Sequence, residues 1–109
     1  MNHFDSIESF IKKQSAVLES AISAYLAGRM AETEVQHIIK KIFDEWESST
    51  LGASPELPFE TPFWCALWAA QHLCSPSHID QSTQKELAFF ASVLRGENPL
   101  PSTYVGHRP

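Results

Sequence analysis

Apolar residues recur along most of the chain at helical rather than strand spacing. Phe4, Ile7, Ile11, Leu18, Ile22 and Tyr25 fall three, four or seven positions apart, and Phe10, Val17, Ala21 and Ala24 widen the stripe. This pattern predicts a first helix over about 6–27. Asp5 is the expected N-cap, with Glu8 three residues on, as in a capping box. Gly28 follows the last periodic residue and can take the left-handed conformation that ends a helix. A second helix is predicted over 34–47, where Val35, Ile38, Ile39, Ile42, Phe43 and Trp46 make the most regular amphipathic stripe in the chain. Thr33 and Gln36 give it a second capping-box pattern. Its outer face carries His37, Lys40, Lys41, Asp44 and Glu45, and the pairs Lys40–Asp44 and Lys41–Glu45 are four apart.

Periodicity stops from Ser48 to Glu60, where Ser48-Ser49-Thr50, Gly52, Pro55 and Pro58 predict a long loop. Thr61-Pro62 then opens a third helix as N-cap and first helical residue. Phe63 to Ala70, with Leu73 and Cys74, leave that helix almost no polar face, which predicts a central element buried on several sides. Ser75-Pro76 ends it. A fourth helix is predicted over 81–95, on a stripe of Leu87, Phe90, Ala91 and Leu94 flanked by Phe89 and Val93, and Gly96 closes it. Three prolines and a glycine keep residues 99–109 from being helical. The pattern as a whole predicts an all-α fold, a compact bundle of about four helices over 1–98. An extended, Pro-containing C-terminal tail over 99–109 would pack on it or project from it.

Bulk properties narrow the picture. The chain has 109 residues, 43% of them hydrophobic, enough for a core that needs no metal or disulfide staple. The formal net charge is −5, which argues against nucleic acid or an anionic membrane surface as partner. No stretch has the length of a membrane span or the pattern of a signal peptide, so a cytoplasmic location is expected. Cys65 and Cys74 fall on one predicted helix about 13 Å apart, beyond disulfide reach, and are expected to be buried free thiols.

Candidate chemistry is sparse. His72, Cys74 and His78, with Cys65 upstream, come nearest to a metal pattern, but residues two apart on a helix diverge and do not converge on an ion. Cys65 and His72 lie on one helix face about 10 Å apart, too far for a nucleophile and its base. There is no Gly-flanked nucleophile, paired-carboxylate motif or phosphate loop, so no enzyme activity, metal or cofactor is expected. Lys12-Lys13 and Lys40-Lys41 could meet a phosphate only if the fold set them side by side. Trp64 and Trp68 could line a groove, although such residues more often belong to a core.

The feature that most suggests a partner is acidic. Asp44, Glu45, Glu47, Glu56 and Glu60 lie in seventeen residues that contain no Lys or Arg. One sign of charge on an exposed segment speeds encounter with an opposite surface. The expectation is a small acidic binding protein that contacts a basic protein partner through Asp44, Glu45, Glu47, Glu56 and Glu60, with Trp46 as aromatic anchor. The type is that of an immunity or antitoxin-like inhibitor occluding a basic toxin such as a nuclease effector, working as a monomer. The alternatives are a non-catalytic regulatory or scaffold subunit, for which a homodimer would be natural, and a small-molecule-binding bundle.

Overall fold

The computed structural model describes residues 6–53, 60–73, 81–101, 104, 106 and 107. Four α-helices carry the fold: α1 (Ile7–Leu26), α2 (Glu32–Ser49), α3 (Thr61–Leu73) and α4 (Gln81–Leu94), with a short 3-10 turn at Leu51–Ala53. No strand occurs among the described residues. The fold is all-α, and no described helix is long and apolar enough to cross a membrane.

The helix ends refine the expected boundaries. Ser6 is the N-cap of α1, its hydroxyl accepting from the Ser9 amide at 3.2 Å, so the cap sits one residue later than Asp5, which lies outside the described residues. Helix α2 starts two residues earlier than its pattern suggests. Glu34 reaches back to accept from the Ala31 amide at 3.4 Å, which is half of a capping box, and leaves Thr33 inside the first turn. Alanine has no side-chain acceptor to complete the other half. At its far end α2 runs on through Ser49, which shortens the expected loop. Ser49 donates its hydroxyl to the Trp46 carbonyl at 2.6 Å and accepts from the Leu51 amide at 3.2 Å, while Thr50 takes a left-handed φ of 60°.

Gly28 and Gly96 end α1 and α4 in the same way. Their φ values are 75° and 80°. Arg29 bonds back to Ala24 and Gly28 to Tyr25, and likewise Glu97 to Ser92 and Gly96 to Val93, all within 3.1 Å. Each is a Schellman motif that satisfies carbonyls the helix end would otherwise leave open.

Helix α1 makes its most extensive contact with α4, and α3 packs on α4, α1 and α2. Phe63, Trp64, Ala66, Leu67 and Ala70 of α3 are essentially inaccessible, so the helix is central, as its apolar composition requires. Among the large apolar side chains described on α3, Trp68 is the exposed one, at 38%. Rings from three helices meet in one cluster. Trp64 lies 4.9 Å from Trp46, 4.8 Å from Phe63 and 6.2 Å from Phe10, mostly edge-to-face, the arrangement that ring quadrupoles favour.

The tail runs back over the bundle at its described positions. Leu100 is half-buried against the core, Tyr104 is 37% exposed, and Gly106 is buried.

A Cβ at either Gly28 or Gly96 would meet nothing within 4 Å, so only the backbone resists a side chain there. Gly28→Ala and Gly96→Ala are each expected to cost about 1 kcal/mol, the strain of a left-handed alanine, and Asn should cost less. Chemical denaturation of each variant checks this. A loss above about 3 kcal/mol would mean that the glycines do more than end helices.

Candidate functional site

The structure divides the six residues of the expected acidic contact into surface and interior. Asp44, Glu45 and Glu47 all stand in the last turn and a half of α2. Asp44 is exposed and pairs with Lys40 at 3.0 Å, one of the two expected i,i+4 pairs. Both partners are largely in water, so the pair contributes little stability. Glu47 is exposed. Glu45 is half-buried and accepts from the Gln14 side-chain amide of α1. Glu56 lies outside the described residues.

Trp46 and Glu60 are corrections. Trp46 is 7% exposed and packs against Phe10 with ring centroids 5.2 Å apart and planes tilted at 59°, so it is an interior ring with no face to offer a partner. Its place on the apolar stripe, eleven residues after Val35, is what turns it inward. Glu60 is fully buried, and its carboxylate accepts from the Trp64 indole N–H at 3.0 Å. The two residues are four apart across the start of α3, so the first helical turn brings acceptor to donor. A carboxylate just before a helix also meets the positive end of its dipole. Glu60 therefore belongs to the core, and its carboxylate satisfies a polar hydrogen that burial would otherwise leave without a partner.

Gln14 was not singled out by the sequence pattern, yet it is 2% exposed. The signal was present: Gln14 fills the gap between Ile11 and Leu18 on the apolar stripe, where a polar residue must find a buried partner. Its bond to Glu45 ties α1 to the acidic end of α2.

The fold brings one member of each dibasic pair together. Lys13 and Lys41 line a groove of about 240 Å³ between α1 and α2, with Val17, Ile38, Ile42, Gln14 and Glu45 as its other walls. The tryptophans separate. Trp64 is sealed in the core, whereas Trp68 packs on Phe43 at 5.2 Å and gives its indole N–H to the His107 carbonyl of the tail at 2.7 Å.

Cys65 is a buried free thiol. Burial pushes its pKa up, and the carboxylate of Glu86 adds to the shift. Cys74 and His78 lie outside the described residues. Among the described residues no three His, Cys, Asp or Glu side chains converge as a metal site.

Comparison with protein-family models, with curated proteins and with solved structures finds no match to this chain.

Two outcomes follow from the buried groups. Glu60→Gln keeps an acceptor for Trp64 and should be mild, whereas Glu60→Leu leaves the indole N–H without it and should cost about 1–3 kcal/mol in equilibrium denaturation. A Glu60→Leu change within about 0.5 kcal/mol of the parent would return Glu60 to the surface. For Cys65, the folded state prefers the neutral thiol. Its contribution to stability is complete below the unfolded thiol value of about 8.5 and is lost as pH rises from there through the raised native value. The stability of the parent should fall more steeply than that of Cys65→Ala over that alkaline window, and parallel curves would refute the shift.

Proposed function

We propose that the chain is a non-catalytic binding protein that holds a cationic protein surface against the carboxylate-bearing end of α2. Within that class it acts as an immunity- or antitoxin-like inhibitor that covers a basic toxin, such as a nuclease effector.

The observation that carries this reading is the charge at the end of α2. Asp44, Glu45 and Glu47 gather toward the negative end of the helix, and the last turn holds no basic residue. The dipole effect is confined to the last turn, so Glu47 opposes the helix directly, at a cost on the order of 0.3–1 kcal/mol, where lysine or arginine would add stability. Dipole and side chains instead sum to one negative pole. Such a pole steers a cationic surface and sets its orientation on arrival.

The three carboxylates differ in what they offer. Glu47 is exposed, and Asp44 is bound only to a solvated Lys40 that a partner's arginine could replace. Glu45 is held in place by Gln14, so it loses little side-chain freedom when a partner docks. The proposed contact is thus shorter than the acidic segment of the sequence, and Trp46 and Glu60 support it from inside.

The double variant Asp44→Lys with Glu47→Lys moves the formal net charge from −5 to −1, two units for each reversal. The partner captured on the parent chain should be basic, and its association with the double variant should slow by about tenfold or more. Added salt should slow the parent more than the variant, since screening removes an attraction the variant lacks. Glu8→Lys with Glu86→Lys, both exposed, makes the same change of charge elsewhere and should do much less. Equal loss in both variants would show that only overall charge matters, and no loss in either would remove the end of α2 as the contact. Expression of the partner alone should arrest growth and co-expression with this chain restore it. A harmless partner would end the inhibitor reading.

A further inference from the structure

Three features of the tail are read by α3 and α4, and each reading is of a different kind. The first is a shape that excludes side chains. Gly106 lies so close to α3 that a Cβ would stand 2.5 Å from both the Thr61 carbonyl oxygen and the Cys65 amide nitrogen, and 2.9 Å from the Cys65 Cβ. Thr61 and Cys65 are four apart in α3, so those backbone atoms belong to one turn of the helix and cannot yield. The second is a main-chain hydrogen bond, from the Trp68 indole to the His107 carbonyl at 2.7 Å. The third is aromatic. The Tyr104 ring lies 5.6 Å from Phe90, edge-on at 86°, and 6.2 Å from Phe89.

These contacts fall on consecutive parts of one non-helical segment, and the groups that make them come from two different helices. Their positions do not depend on the tail alone. Trp68 is backed by Phe43 of α2, and Phe89 and Phe90 pack on each other at 5.7 Å. On its outer side the tail faces solvent: Pro99, Pro101, Tyr104 and His107 are exposed, while Gly106 is buried. Prolines at 99 and 101 and the bond from the Tyr104 amide to the Pro101 carbonyl at 3.1 Å limit the tail's free conformations before it docks.

We infer that the α3–α4 seam is a recognition site for an extended peptide segment with an aromatic residue two positions before a glycine. Tyr104, Gly106 and His107 of the chain itself are its resident ligand, exchangeable with the same tail of a second copy supplied in trans. This site is separate from the acidic end of α2 and stands or falls independently of it. A segment tethered by a short linker has an effective concentration in the millimolar range, so the resident tail shields the seam from free competitors. A tail that cannot sit down leaves it open.

The test uses the full chain carrying Gly106→Val and a fluorescent peptide of residues 99–109. The variant should bind the peptide saturably, and the parent, whose seam is filled, at least about tenfold more weakly. Peptides with Gly106→Val or Tyr104→Ala should not bind. Equal binding to parent and variant, equal binding of the Gly106→Val peptide, or no binding at millimolar peptide to a variant with full helical content would each overturn the inference. A second measurement avoids any folding defect in that variant. Trp68→Phe keeps the ring and removes the indole donor, so chymotrypsin should cleave after Tyr104 several-fold faster than in the parent. An unchanged rate would also overturn the inference.

Discussion

Trp64 is fully buried, and an indole taken out of water must find an acceptor for its N–H or forfeit the solvation it had. Glu60 provides that acceptor, and it does so from outside the helix that carries the ring. The chain entering α3 is therefore fixed at the residue where the helix begins. Around this pair the rings of Phe10, Trp46 and Phe63 close in from α1, α2 and α3 itself. A displacement of Trp64 would be felt by all three helices at once, since an interior packed at crystal-like density has no slack to absorb it. Helix α4 joins the same core through Leu87 and Phe90, and its contact with α1 is tied at the edge by Arg95, which reaches Glu19 at 3.4 Å and Glu97 at 2.8 Å.

Helix existence and type were legible in the sequence because the apolar stripes are long and their period is clear. Gly28 and Gly96 were legible for a different reason, since a glycine after the last periodic residue has few other uses. The starts of α1 and α2 were not: at α1 two residues able to cap, Asp5 and Ser6, stand side by side, and at α2 the N-cap is Ala31, two residues before Thr33 and of a type that no capping pattern marks. Ser6 succeeded where Asp5 was expected, and Glu34 reached a residue with no side-chain acceptor of its own. The acidic segment was legible as composition and misleading as surface. Glu60 looks like one more exposed carboxylate until Trp64, one helical turn on, is seen to need it. Trp46 could have been placed inside from its own stripe.

The interior thus takes two of the six residues that charge and aromaticity had suggested for a partner, and it takes them for stated polar and packing reasons. What is left at the end of α2 is smaller and harder to explain by folding alone. Glu47, in the last turn, works against its own helix, and a position that is costly to stability is a better pointer to use than one that is merely exposed. Gln14 strengthens that contrast. It occupies a core position on α1 at which an aliphatic side chain would pack without any partner, and its amide is spent on Glu45.

Order of synthesis gives the tail a further meaning. Tyr104, Gly106 and His107 follow all four helices in the chain, so the seam that holds them is encoded before they are. About ten residues separate the end of α4 from Tyr104, on the order of a second of synthesis at ordinary rates of elongation. Helix α4 cannot pack on α3 until it has cleared the ribosome, and the tail clears it almost together with it. Trp68, Phe89 and Phe90 therefore form their seat with the chain's own occupant already at hand. The tether gives that occupant the advantage over any segment arriving from another polypeptide.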